Sequence, residues 1–145
     1  MNEKLIAPCG MNCAVCVAYI FNQKNLNKEG FKKKYCNGCV DRGKGCTFAL
    51  GKKCDLIKNS KIRFCYQCKN YPCDGLKYLD KRYRTKYNMS MIENLNNINT
   101  LGINEFLEQQ QKKYSCPNCG YTICCHNNLC LNCQLNQLKQ NKKHH

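Results

Sequence analysis

The chain has 145 residues, enough for one ordinary domain or two small ones, and sets 24 Lys and Arg against nine Asp and Glu for a formal charge of +15. Sixteen cysteines, about 11% of the residues, exceed the roughly 8–10% at which a short exported chain reads as a disulfide scaffold. Yet Met1–Cys9 has neither an apolar stretch nor a small-residue cleavage site, and no run approaches the ~18 apolar residues of a membrane span, so export and membrane insertion are unsupported and a cytoplasmic protein with reduced thiols is expected.

The first predicted element is a short helix, apolar on all faces, over Cys13-Ala-Val-Cys16-Val-Ala-Tyr-Ile-Phe21, with Asn12 as its N-cap. Both thiols then fall in its first turns, where the helix dipole favours thiolate. After Cys73, Leu76, Leu79 and Tyr83 recur at helical spacing among Lys and Arg, which predicts an amphipathic helix with a basic, solvated face. Ser90-Met-Ile-Glu93 is a capping box, opening a helix to about Asn99, and Gly102 is placed to turn left-handed just beyond its end. A second helix, about Asn104 to Lys113, presents Phe106, Leu107 and Gln110, with Ile103 stapling its start. This pair is expected to pack two metal-bearing regions together. The tail, with Lys142, Lys143, His144 and His145, reads as flexible, its histidines not ligands.

The sharpest chemical signal is Cys116-Pro-Asn-Cys119-Gly120, ten further residues, then Cys130-Leu-Asn-Cys133. Two facing C-x2-C turns complete a tetrahedron of thiolates around one ion, and Gly120 permits the positive φ that closes the first turn. Tyr121-Thr-Ile-Cys124-Cys125-His126-Asn-Asn between them can form a strand and turn, so the segment predicts a zinc ribbon, although an iron site of rubredoxin type uses similar turns. Cys124, Cys125 and His126 are surplus to it. Buried inert thiols are the expectation for the two cysteines, and His126 either replaces a ligand or bonds a neighbouring carbonyl.

Ten more cysteines are candidate ligands: Cys9-x3-Cys13-x2-Cys16, Cys36-x2-Cys39, Cys46, Cys54 and Cys65-x2-Cys68-x4-Cys73. They divide as four plus four with two spare, or as four plus three plus three with open positions, and spacing does not choose. The first triplet matches the spacing with which radical SAM enzymes hold an iron–sulfur cluster, but this chain is too short for their barrel. A simple iron–sulfur cluster in this half remains an alternative to zinc.

With a mean hydropathy of −0.65 and no Trp, the core is thin, and metal becomes a folding element. The expected architecture is therefore a small metal-stabilised α+β fold. It comprises a Cys-rich, mainly helical region (1–88), a helical connector (89–113), a zinc-ribbon-like module (114–135) and a flexible basic tail (136–145). Sixteen bound thiolates against four divalent ions would lower the charge from +15 to about +7. The remaining basic surface suits a protein partner or nucleic acid.

Several segments together resemble one family: Cys9-Gly-Met-Asn-Cys13-Ala-Val-Cys16-Val-Ala-Tyr19, Cys36-Asn-Gly-Cys39, Lys61-Ile-Arg63-Phe-Cys65-Tyr-Gln-Cys68, Tyr71-Pro-Cys73, Ile92-Glu-Asn-Leu95, Gly102-Ile, and Cys116-Pro-Asn-Cys119-Gly120 with Ile123-Cys-Cys-His126. In this order they are similar to the bacterial and archaeal family catalogued as domain of unknown function 3795. Gln134 departs from its pattern, standing where a glycine is common. The resemblance implies a cysteine-rich metal-binding protein and supplies no activity. A binding or adaptor module is the expected role, with an iron–sulfur electron carrier or redox sensor as the alternative. Catalysis has little to work with: Glu3, Glu29, Glu93, Glu105 and Glu108 fall at solvated or capping positions, and no nucleophile triad or phosphate-binding glycine loop occurs.

Overall fold

The computed structural model describes residues 1–31, 36–40 and 54–140. A 3₁₀ turn, Glu3–Leu5, leads into a single antiparallel bridge between Ile6 and Asn12. The intervening turn closes with the Gly10 N–H donating to Ala7 O at 2.9 Å and the Ala7 N–H to Met11 O at 2.8 Å. Gly10 has φ +84°, and a Cβ there would lie 2.6 Å from the Met91 carbonyl oxygen. Glycine is thus what lets this turn seat against the helix that begins at Met91.

The helix predicted from Cys13 is divided. Asn12 caps only a 3₁₀ turn, Cys13–Val15, its Oδ1 accepting from the Ala14 N–H at 3.0 Å. Cys16 donates its N–H to Cys13 O at 3.0 Å and is extended (φ −78°, ψ 133°), which ends helical geometry. The α-helix α1, Val17–Gln23, starts one residue later and buries Val17, Ile20 and Phe21. A single-turn helix α2 spans Asp55–Lys58.

Helix α3, Asp74–Tyr87, buries Leu76, Leu79 and Tyr83 as the spacing predicts, and Asp80 beside them. Helix α4, Met91–Leu101, is capped by Ser90, whose Oγ accepts from the Glu93 N–H at 3.0 Å. The carboxylate at this helix start comes from the preceding helix: Asp80 Oδ1 accepts from Ser90 Oγ at 2.6 Å and from the Ile92 N–H at 3.1 Å. Gly102 has the expected positive φ (84°), but its ψ of 163° is extended rather than left-handed helical. It therefore ends α4 and starts α5, Ile103–Lys113, with no loop between them. Helix α6, Leu135–Gln140, occupies the start of the expected tail, and its Leu138 is fully buried.

Two apolar clusters hold these elements. The larger joins Ile6, Val15 and Phe64 to Leu76 and Tyr83 of α3, Met91, Leu95 and Ile98 of α4, Phe106 of α5, and Tyr114 and Cys125 beyond it. Burying each large side chain of this set stabilises the fold by about 1.5–3 kcal/mol. The smaller cluster packs Val17, Ile20 and Phe21 of α1 against Leu26, Phe31, Cys124, Leu129, Leu131 and Leu138.

The α+β architecture and the zinc ribbon expected from the sequence do not form. Among the described residues the regular structure is helical, and the C-terminal segment has only isolated bridges, Ser115 with Thr122 and Ile123 with Cys130. Backbone bonding explains this. The Cys124 N–H closes a tight turn onto Leu129 O at 2.9 Å, while the Cys125 N–H leaves the segment altogether for Val15 O, also at 2.9 Å. Asn128, at φ 58°, reverses the chain between them. The Cys124 bond belongs to the Ile123–Cys130 bridge itself, but the Cys125 donor is spent on the N-terminal half, so the four-cysteine segment is a set of turns with isolated bridges anchored there.

Candidate metal centre

Cys116, Cys119, Cys130 and Cys133 present four sulfurs that all lie within 4.8 Å of one another. The Cys119 and Cys130 sulfurs are 3.6 Å apart, close to the ~3.8 Å edge of a tetrahedron with metal–sulfur bonds of about 2.3 Å, and far beyond a disulfide bond of about 2.05 Å. This group can hold a metal ion. Cys116 and Cys130 form its buried side, whereas Cys119 and Cys133 face solvent.

Short-range bonding fixes the geometry. In the first turn the Cys116 N–H donates to Tyr121 O and the Gly120 N–H to Cys116 O, both at 2.8 Å, with Gly120 at φ 69°. In the second, the Cys133 N–H donates to Cys130 O at 3.1 Å and the Gln134 N–H to the same oxygen at 2.8 Å. Gln134, the residue standing in place of glycine, also turns its side chain back so that Oε1 accepts from the Cys130 N–H at 3.0 Å. That role was not visible in the sequence, where Gln134 registers only as a departure from a pattern.

Four sulfurs this close cannot all ionise without a cation. The Tyr121 N–H and then the Cys133 thiol draw Cys119 down to about 6, so one proton leaves readily. Donation to Cys119, followed by desolvation, pushes Cys133 up to about 12, and burial pushes Cys130 up as well. The opposed directions describe one thiolate shared among Cys119, Cys130 and Cys133, and a divalent cation would supply the charge that lets the others ionise.

The other candidates are less tightly gathered. The Cys39 N–H donates to Cys13 Sγ at 3.3 Å and the Gly38 N–H to Cys36 Sγ at 3.4 Å, which brings Cys13, Cys36 and Cys39 into one neighbourhood. Gly38 has φ 102° in this turn. Burial pushes the Cys65 thiol up to about 12, reinforced by the nearby thiols of Cys9, Cys54, Cys73 and Cys68. Cys16 lies close enough to Cys125 and Tyr83 to raise both after burial. Cys46 is outside the described residues. Among the described residues, the C-terminal four are the cysteines whose sulfurs come within 4.8 Å as a set.

Cys124 and Cys125 are buried in different clusters, at 0% and 1% exposure, and neither belongs to the four-sulfur group. His126 is not in that group either. Its Nδ1 accepts from the Val17 N–H at 3.4 Å and lies 3.2 Å from Cys125 Sγ, while its ring packs against Tyr87 at 4.6 Å and Tyr83 at 5.8 Å. The backbone group bonded here is an N–H donor, that of Val17, where the sequence reading expected a carbonyl.

The family model described as "Protein of unknown function (DUF3795)" matches residues 5–78, just over half of the chain. That span holds the ten cysteines from Cys9 to Cys73 and ends within α3, short of the Cys116 group. No curated protein and no solved structure matches the chain. The ordered cysteines of residues 5–78 and the match over that same span make this chain a member of the DUF3795 family.

Proposed function

We propose that this chain is a small zinc-binding adaptor in which Cys116, Cys119, Cys130 and Cys133 hold a structural ion that fastens the C-terminal turns. The observation carrying this reading is the four-sulfur group itself, with its 3.6 Å sulfur–sulfur edge. Zinc suits an all-thiolate tetrahedral set, and a closed set of four protein ligands leaves no position for an activated water, which favours a structural over a catalytic ion. Binding free energy apparently on the order of 10–16 kcal/mol per structural zinc is large against the few turns it would secure. The adaptor role is supported by the outer face of α3, where Tyr78, 71% exposed, stands among Lys77, Lys81 and Arg82. A basic face with an aromatic centre suits an acidic partner.

Anaerobic purification followed by elemental analysis and a visible spectrum tests the metal. A colourless protein with zinc, and one zinc fewer in Cys116→Ser, is the expected result. Iron in the Cys116 group, with or without acid-labile sulfide, would overturn the zinc reading.

A further inference from the structure

We propose that the contiguous run Cys9-x3-Cys13-x2-Cys16 does not serve one metal but is divided between two thiolate sites. Cys9 joins Cys54, Cys65 and the Cys68–Cys73 segment; Cys13 and Cys16 join Cys36 and Cys39. The inference rests on the zinc reading above and resolves the partition that spacing leaves open.

Three observations support the division. First, the backbone separates Cys9 from Cys13. Cys9 lies in the turn closed by Gly10 and Ala7, and the adjoining Pro8 carbonyl accepts from the Cys65 N–H at 2.8 Å. That bond fixes Cys9 on the Cys65 side. Cys13, beyond the Ile6–Asn12 bridge, instead accepts from the Cys39 N–H at 3.3 Å. Gly38 packs so near it that an added Cβ would come within 3.8 Å of Cys13 Cβ.

Second, three C-x2-C turns share one backbone closure. The N–H of the second cysteine donates to the carbonyl of the first in Cys13–Cys16, Cys65–Cys68 and Cys130–Cys133, at 3.0, 3.1 and 3.1 Å. Cys16 and Cys68 even adopt nearly the same dihedrals, φ −78° and −84° with ψ 133° in both. The third of these turns is the one that presents two of the four gathered sulfurs. The first two share that closure, and one of them falls in each proposed set.

Third, backbone N–H groups already point at sulfur in the Cys13 set, Cys39 to Cys13 and Gly38 to Cys36. In the Cys65 set, Cys73 stands at the N-cap of the fourteen-residue helix α3. Cys54 and Cys68 complete the surroundings of Cys65. The sulfurs in these two sets are not yet within 4.8 Å as a group, so binding is expected to draw each set together.

The test uses the intact protein purified with zinc. About three zinc ions per chain are expected, one for the Cys116 group and one for each of the two N-terminal sets, with one of the five thiols of the Cys65 set left over. A chelator is then added in stages, with pulses of alkylating agent and mass mapping of each cysteine. Cys9 should become labelled in step with Cys65, and Cys13 in step with Cys39. Should both sets empty together, Cys65→Ser and Cys39→Ser separate them: Cys65→Ser exposes Cys9 while Cys13 stays protected, and Cys39→Ser does the reverse. Joint labelling of Cys9, Cys13 and Cys16 apart from Cys65 and Cys39, or labelling of all three in both variants, overturns the division. If zinc protects only the Cys116 group, this inference fails and the C-terminal reading stands. If the Cys116 group is labelled without chelator while the N-terminal sets are protected, the reverse holds.

Discussion

The N–H of Cys125 donates to the carbonyl of Val15 at 2.9 Å, across 110 residues of chain. Two residues further along the N-terminal segment, the Val17 N–H reaches Nδ1 of His126. Cys16 stands between these two valines. The segment that follows the first C-terminal cysteine pair is therefore bonded on both sides of an N-terminal cysteine. This double attachment explains why the C-terminal turns need no ladder of their own: their free donors and acceptors are met by the 3₁₀ turn and α1.

His126→Ala should consequently loosen the seam without emptying the Cys116 group. The substitution removes the acceptor for the Val17 N–H and the ring packed between Tyr83 and Tyr87. A loss of about 2–4 kcal/mol is expected from one unmet buried donor and one aromatic contact. Denaturant unfolding of the zinc-loaded protein measures it, and unchanged zinc content separates it from a ligand's loss.

Asp80 is the second test, because a carboxylate 3% exposed joins two helices. Burial works to raise its pKa, but the bonds from Ser90, the Ile92 N–H and Arg84 outweigh burial and hold it below its ordinary value of 3.8. A carboxyl whose folded pKa lies below its unfolded one contributes stability above the unfolded value. That contribution disappears as pH falls through 3.8 toward the folded value. Asp80→Asn should cost about 1–3 kcal/mol at neutral pH and flatten the acid limb of a stability–pH curve below pH 4 to 5. An unchanged acid limb would remove Asp80 from this role.

Gly10→Ala should be costlier than Gly30→Ala, although both residues have positive φ, 84° and 87°. A Cβ at Gly30 meets nothing within 4 Å, so only backbone strain of about 1–2 kcal/mol applies. At Gly10 the same atom meets Met91 O at 2.6 Å and Leu95 Cγ at 2.9 Å. Displacing α4 adds about 1–3 kcal/mol, and the Asn94 Nδ2 bond to Gly10 O at 2.8 Å is strained with it. Equal thermal shifts in the two variants would show that the turn yields freely.

Much of α3, α4 and α5 was legible because their signals are local. Leu76, Leu79 and Tyr83 sit at helical spacing, Ser90 caps its own helix, and Gly102 supplies a positive φ. The pairing of Cys116 and Cys119 with Cys130 and Cys133 was legible too, since each C-x2-C turn is a local chelator. Asp80 could have been found: it lies four residues after Leu76 and three before Tyr83, on the buried side of the same wheel. Its partners Ser90 and Ile92 belong to the next helix, which spacing within α3 does not reveal. The break at Cys16 and the missing ribbon were illegible for a similar reason. In both places the decisive bond is a choice among competing acceptors, Cys13 O for Cys16 and the distant Val15 O for Cys125.

The adjacent cysteines 124 and 125 give the last prediction. Consecutive side chains on an extended segment point to opposite sides, and here each side meets a different apolar cluster. Cys124 packs with Leu129, Leu131 and Leu138, and Cys125 with Tyr83, Tyr114 and their neighbours. Burial, then Cys124 and Cys16, hold the Cys125 thiol well above its ordinary range, so it stays protonated and unreactive. Cys124→Ala should therefore cost only about 1 kcal/mol, the loss of one small apolar group. Cys124→Ser should cost more, because a hydroxyl among leucines has to find a new partner or remain unmet. Neither variant should change the zinc content, since neither cysteine is in the four-sulfur group. Denaturant unfolding paired with zinc analysis reads both effects, and loss of an ion from Cys124→Ala would make Cys124 a ligand rather than core.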